Sequence, residues 1–262
     1  MNKKPIINYI VEWLKEYNKK AGTDGFVIGI SGGIDSAVTS VLAAKTNLPI
    51  LCLEMPIYQD NKQQERANNH IKKIKKSWKD VNSIEIELTP VFEAFIKQIP
   101  TRNNTKSELS LINTRARIRM MTLYYFAQLN NYLVLGTGNK VEDFGIGFFT
   151  KYGDGGVDLS PIADLSKSEV YLIGKELNIS NEILTAPPTD GLWNDSRTDE
   201  DQIGATYAEL EWAMNYDKKK KKNKRESEVL KIYKKLRKTN MHKMKEIPVC
   251  KIPKKISENI NL

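Results

Sequence analysis

Residues 26–36 read Phe26-Val27-Ile28-Gly29-Ile30-Ser31-Gly32-Gly33-Ile34-Asp35-Ser36. A short apolar run meets a Ser-Gly-Gly turn, and an apolar-periodic stretch continues to Lys45. The pattern predicts a buried strand over 26–30, a tight turn, and a helix from about Ile34 to Lys45. Two glycines let the backbone turn and approach an anion without a Cβ in the way. The helix that follows offers unpaired N–H groups and the favourable end of its dipole. Ser31 and Ser36 add hydroxyls. Asp35 alone would repel a phosphate, but it fits as a ligand of a divalent cation that bridges phosphates. A glycine turn capped by Ser or Asp is the plain alternative. The string is neither a Walker loop, since no Lys follows the glycines, nor a GxGxxG fingerprint.

Outward from this loop, Ile6, Ile7, Ile10, Val11, Leu14 and Tyr17 recur at the spacing of one helical face. Further strands are expected over 50–54, 84–88 and 132–136, and helices over 60–79 and 108–130. Strands separated by helix-length segments predict an α/β fold, a doubly wound parallel sheet with flanking helices. Residues 145–161 hold five glycines in seventeen positions, a long loop of the kind that carries function. Ser166 with Glu169 three residues on is a capping box for a helix over 166–178. A Pro/Gly-punctuated loop covers 186–199, and helices are expected over 200–216 and 226–239. The whole chain, 1–262, reads as one domain, with Lys218–Arg225 (KKKKKNKR) as a basic solvated loop.

Composition sets the outer bounds. The 262 residues are 40% hydrophobic, enough for one sizeable core and unlike collagen, coiled coil or disordered chains. Two cysteines, Cys52 and Cys250, exclude a disulfide framework or a Cys-rich metal site, and two histidines make a His-rich site improbable. No apolar run nears the roughly 20 residues that span a bilayer. The amphipathic, charged start has no signal-peptide pattern, so a cytoplasmic setting and no membrane partner are expected. The net charge of +9 first suggests nucleic acid. Its location changes that: residues 215–255 carry +13 and the rest −4. Lysine blocks without interleaved aromatics are weak evidence for base recognition, so no nucleic-acid partner is expected.

The strand–SGGxDS–helix unit resembles the pyrophosphate loop of the N-type ATP pyrophosphatases. Further motifs narrow the resemblance: Gly136-Thr137-Gly138-Asn139-Lys140-Val141-Glu142-Asp143, Phe149-Thr150-Lys151-Tyr152-Gly153-Asp154-Gly155-Gly156, Asp158, Pro161 and Asp164-Leu165-Ser166-Lys167. Pro187-Pro188-Thr189-Asp190-Gly191-Leu192-Trp193 and Thr198-Asp199-Glu200-Asp201-Gln202-Ile203-Gly204 complete the series. Together, across about residues 26–245, they resemble the ammonia-dependent NAD synthetases.

That resemblance implies an adenine nucleotide alpha hydrolase-like fold and a C–N-bond-forming ligase. The implied reaction amidates deamido-NAD with ammonia through an acyl-adenylate, giving NAD, AMP and pyrophosphate. It implies ATP binding by Gly29, Ile30, Ser31, Gly32, Gly33, Ile34, Asp35, Ser36, Thr137, Lys167 and Thr189. Arg117, Lys151, Asp158, His242 and Lys243 would bind deamido-NAD, and Asp35 and Glu142 would hold Mg²⁺. No residue acts by covalent chemistry. The implied assembly is a homodimer.

Taken alone, several of these residues have ordinary readings. Glu142 reads as a first-turn glutamate favoured by the dipole, and Arg117 as one of three arginines with Arg115 and Arg119. Lys167 sits where the dipole disfavours a cation, which an anionic partner would resolve. The 145–158 loop reads as a lid or as plain surface. A tRNA-thiolating relative would need paired cysteines, and no CxxC is present. A pattern starting near residue 26 leaves no room for a glutamine-hydrolysing domain, so free ammonia is the expected nitrogen source.

Overall fold

The computed structural model describes residues 3–100, 105–189, 198–217, 219 and 221–257. The chain opens with α1 (Lys4–Ala21), then β1 (Gly25–Gly29), α2 (Ile34–Ala44), β2 (Ile50–Glu54), α3 (Asn61–Ser77) and β3 (Val81–Glu85). α4 (Thr89–Gln98), α5 (Thr105–Asn130) and β4 (Tyr132–Val134) follow, then a π-turn over Val141–Ile146. α6 (Lys167–Glu176), α7 (Asn181–Leu184), α8 (Asp199–Ile203), α9 (Tyr207–Met214), α10 (Lys224–Met244) and α11 (Lys254–Ser257) complete it.

The four strands form one parallel sheet in the order β3-β2-β1-β4. Side chains alternate between its faces. Phe26, Ile28, Ile50 and Cys52 pack with residues of α1, α2, α3 and α6. Val27, Leu51, Leu53 and Val134 pack with Phe92 of α4 and with Ile118 and Ala127 of α5. Both faces are covered, which is why β1 and β2 read as unbroken apolar runs. A third cluster joins Val141 and Ile146 of the π-turn to Ile203, Leu210, Val229 and Leu230 of the C-terminal helices.

Several boundaries differ from the sequence reading: the strand expected over 132–136 is Tyr132–Val134 and the helix expected over 226–239 is Lys224–Met244, and three further differences have a visible cause. The third strand lies at 81–85, not 84–88, because Val81 pairs with Ile50 and Glu85 with Glu54, the last residue of β2. The alternation through Ile86 and Leu88 runs on into the approach to α4, where it no longer marks a strand. The helix expected over 200–216 is two helices. Gly204 adopts φ 81° and closes α8, and Thr206 caps α9 through a box with Glu209. The loop expected to reach Arg225 ends earlier. Asn223 and Glu226 form a capping box that starts α10 at Lys224, and Arg225 pairs with Glu209 at 2.7 Å. The Ser166–Glu169 box forms as expected and begins α6. Trp193 and the rest of 190–197 lie outside the described residues.

Candidate functional site

In the order 3-2-1-4 the winding reverses between β1 and β4. Ligands of doubly wound sheets bind at the carboxyl ends of the strands at that reversal. A cavity of about 290 Å³ opens there, bordered by the loop after β1, the end of β2, the 136–138 segment after β4, and residues of α3 and α5.

The loop after β1 is held in shape by its own hydrogen bonds. The Ser31 amide donates to Ser36 Oγ at 3.2 Å, the Ser31 and Ser36 hydroxyls lie 3.1 Å apart, and Ser36 Oγ donates to the Gly33 carbonyl at 3.1 Å. Gly32 has φ 78°, and a Cβ there would collide with the Gln63 carbonyl of α3. Only glycine combines that backbone with that approach. Gly33 is the N-cap of α2 and offers no side-chain cap. The helix therefore presents its first N–H groups and its dipole to the cavity, a ready anion site.

Beside this helix start lies a buried ion cluster. Lys167, 3% exposed, donates to Asp35 Oδ2 at 2.6 Å and to Glu142 Oε1 at 3.0 Å. Burial alone would lower the lysine's pKa, but the Asp35 and Glu142 charges outweigh it and hold the ammonium well above its ordinary range. Asn139 steadies both acids. Its amide donates to Asp35 Oδ1 at 3.2 Å, while its Oδ1 accepts the Val141 and Glu142 amides at the start of the π-turn. Such one-turn π segments are frequent at functional sites. Tyr207 donates to Glu142 Oε1 at 2.5 Å. Asp143 also borders the cavity. Burial and the neighbouring Glu142, Asp154 and Asp35 charges push its carboxyl up to about 8.

Asp35 and Glu142 share one cation between hard oxygen donors, a chemistry that suits Mg²⁺. No group of three or more His, Cys, Asp or Glu arranged for a metal occurs among the described residues. Two carboxylates with water and phosphate oxygens completing the sphere is the habit of Mg²⁺ at nucleotide sites.

Apart from Gly32, which forms the turn itself, and Asp158, the expected site residues fall into two groups. Gly29, Ile30, Ser31, Gly33, Ile34, Asp35, Ser36, Thr137, Glu142, Lys167 and Thr189 border the cavity. Arg117, Lys151, His242 and Lys243 gather beside it around the 149–152 loop. Arg117 Nη2 donates to the Lys151 carbonyl at 3.3 Å, Lys151 Nζ to the His242 carbonyl at 3.1 Å, and Lys243 Nζ to the Phe149 carbonyl at 2.6 Å. Asp158 stands apart. It accepts from the Tyr124 hydroxyl at 3.0 Å and from the Val134 amide at 2.8 Å, which fastens the glycine-rich loop to β4.

Sequence reasoning missed Asn139, Asp143, Arg119 and Tyr207 as site residues. Of the three arginines, Arg119 borders the cavity, with Nε donating to the Met55 carbonyl at 2.9 Å. Arg115 lies over the Phe92 ring at 5.0 Å. Asn139 and Asp143 stood inside a quoted motif. Tyr207 carried no local signal.

A family model described as NAD synthase matches residues 6–247. The chain is 39% identical over 215 residues to the NH3-dependent NAD+ synthetase of Syntrophomonas wolfei subsp. wolfei, covering 80% of this chain and 84% of that one. Its structure is similar to the NMN synthetase from Francisella tularensis, with TM-score 0.85, 33% identity, and 96% and 100% of the two chains covered. It is also similar to the NH3-dependent NAD synthetase from Campylobacter jejuni subsp. jejuni, with TM-score 0.74, 28% identity and the same coverage.

Proposed function

The chain belongs to the NAD synthase family, and from that premise we propose how its residues carry the reaction. It has the adenine nucleotide alpha hydrolase-like fold and is a ligase that amidates deamido-NAD with ammonia in an ATP-dependent reaction. The observation that carries the residue assignment is the Asp35–Lys167–Glu142 cluster beside the uncapped start of α2.

ATP lies with its phosphates over Gly29–Ser36, and Thr137 and Thr189 complete its contacts. A carboxylate oxygen of the nicotinate attacks the α-phosphorus, and the bond to pyrophosphate breaks. The N–H groups of α2 and the Lys167 ammonium take up the charge that builds on the departing pyrophosphate. Asp35 and Glu142 would hold Mg²⁺, which would supply neutralisation of the pyrophosphate charge. Ammonia then adds through its lone pair to the acyl carbon of the adenylate. AMP leaves with the bonding pair, and the nitrogen gives up a proton to solvent as the amide forms. Arg117, Lys151, Asp158, His242 and Lys243 hold deamido-NAD, and the 145–158 loop shields the adenylate from water. No covalent enzyme intermediate is required.

The enzyme works as one unit in the cytoplasm, a reducing setting that suits Cys52 and Cys250 as free thiols. It acts as a homodimer. Met121, Tyr125 and Leu129 support this, because they form an exposed apolar stripe at four-residue spacing on α5.

Purified protein with ATP, Mg²⁺, ammonium and deamido-NAD should release NAD and AMP in equal amounts. Formation of ADP, or turnover without a nicotinate substrate, would sink the assignment. A second reading, amidation of nicotinate mononucleotide, is favoured by the match to the Francisella tularensis NMN synthetase at TM-score 0.85. Comparing kcat/KM for the dinucleotide and the mononucleotide decides between them.

A further inference from the structure

We propose that Tyr207 is a positioning residue for the metal site, its hydroxyl fixing which oxygen of Glu142 faces the cation. The inference rests on the reading of Asp35 and Glu142 as metal ligands.

Tyr207 is the first residue of α9, and two devices fix its backbone. Thr206 and Glu209 form the capping box of that helix, and the Tyr207 amide donates to Glu200 Oε1 at 2.9 Å. The ring is buried in the C-terminal cluster with Val141, Ile146 and Leu210. From there it touches two of the three members of the ion cluster. Its hydroxyl lies 2.5 Å from Glu142 Oε1, and Lys167 Nζ stands 4.6 Å from its ring centre. A second carboxylate, Asp199 Oδ2, lies 3.2 Å from the same hydroxyl. A phenol, with its ordinary pKa of about 10, keeps its proton at neutral pH, so at this distance the hydroxyl is the donor and the carboxylate the acceptor.

Both donors to Glu142, Lys167 and Tyr207, converge on Oε1. Among the described residues none donates to Oε2. With Oε1 pinned from two sides, the carboxylate cannot rotate without breaking two charge-assisted bonds. Oε2 is thereby reserved for a cation. A buried tyrosine that merely satisfies its hydroxyl on the nearest acceptor is the ordinary reading. That reading predicts a loss of stability and no particular effect on metal.

Tyr207→Phe separates the two, since it keeps the ring, its packing and the lysine contact. Mn²⁺ serves as the probe, with free Mn²⁺ followed by electron paramagnetic resonance in the presence of a non-hydrolysable ATP analogue. Wild type, Tyr207→Phe and Glu142→Gln are compared. The expected result is a rise of about tenfold in the Mn²⁺ dissociation constant of Tyr207→Phe, the scale of one lost charge-assisted hydrogen bond. The Mg²⁺ concentration for half-maximal turnover should rise alike, and kcat should recover at saturating Mg²⁺. A change below twofold in Mn²⁺ affinity, with or without a lower thermal midpoint, makes Tyr207 a packing residue and overturns the proposal while the metal reading stands. A wild type that binds no Mn²⁺, or Glu142→Gln that binds it as well as wild type, removes the metal reading and the proposal with it.

Discussion

His70 shows what one buried side chain does to the balance between folded and unfolded states. It is 3% exposed, and its Nε2 lies 2.8 Å from Ser40 Oγ. Burial, with a smaller push from Lys73, lowers its pKa to about 4 from the ordinary 6.5. Between those values the unfolded chain binds a proton that the folded chain refuses. The contribution of His70 is therefore whole above pH 6.5 and falls by about 3 kcal/mol by pH 4. Asp143, raised to about 8, works in the opposite sense over much of that range. The effect is thus read as a difference: urea unfolding of wild type and His70→Asn at pH 7 and pH 5 should converge as pH falls. A constant gap would rule it out. At this scale the sequence was half legible. Lys167 at a helix start demanded an anion, yet its partners stand 132 and 25 residues away, and nothing local names them. Arg117 is two residues from both Arg115 and Arg119 and so lies off the helical face that those two share at i,i+4. α5 is apolar on more than one side, so periodicity could not say which arginine meets the cavity.

Among the elements, α10 explains where part of the basic charge goes. Arg237 and Asn240, one turn apart, reach the backbone of the π-turn. Arg237 donates to the Phe144 and Gly145 carbonyls, and Asn240 to the Ile146 carbonyl at 2.9 Å. Lys243 continues the row to Phe149. Each such bond is worth roughly 1 kcal/mol. Arg237→Ala with Asn240→Ala should therefore speed amide exchange across 144–151 by at least about tenfold, and KM for the nicotinate substrate should rise. Unchanged exchange in that stretch would show that the clamp is incidental. The elements were mostly legible because burial on both sheet faces and a capping box leave strong local patterns. The exceptions have physical causes. Gly204 interrupts a periodicity that otherwise spans α8 and α9. A π-turn is a one-residue insertion that hydrophobic spacing does not mark.

For the molecule as a whole, +9 is a sum of unlike parts. Basic residues concentrate over 215–255, before, along and after α10, with Arg237 and Lys243 spent on carbonyl oxygens of the 144–149 stretch, while the acids that matter converge on the cavity. The surface feature that charge does not explain is α5. One side of it packs on the sheet through Ile118, Leu123 and Ala127, and the other exposes Met121, Tyr125 and Leu129. Light scattering should give twice the chain mass for wild type, and Tyr125→Glu with Leu129→Glu should shift it toward the monomer. A wild type at the single-chain mass would dispose of the homodimer.

The Tyr207 and α10 contacts also order the site in time. Asp35 and Glu142 leave the ribosome early, Lys167 later, and Tyr207 and Lys243 later still. At about 5–20 residues per second, some 5–20 s separate Glu142 from Lys243. Through that interval the growing chain has its nucleotide loop, but its acidic pair first lacks a cation and then lacks the tyrosine that fixes it. Until α10 is made, the chain lacks the Arg237, Asn240 and Lys243 bonds that tie down residues 144–149.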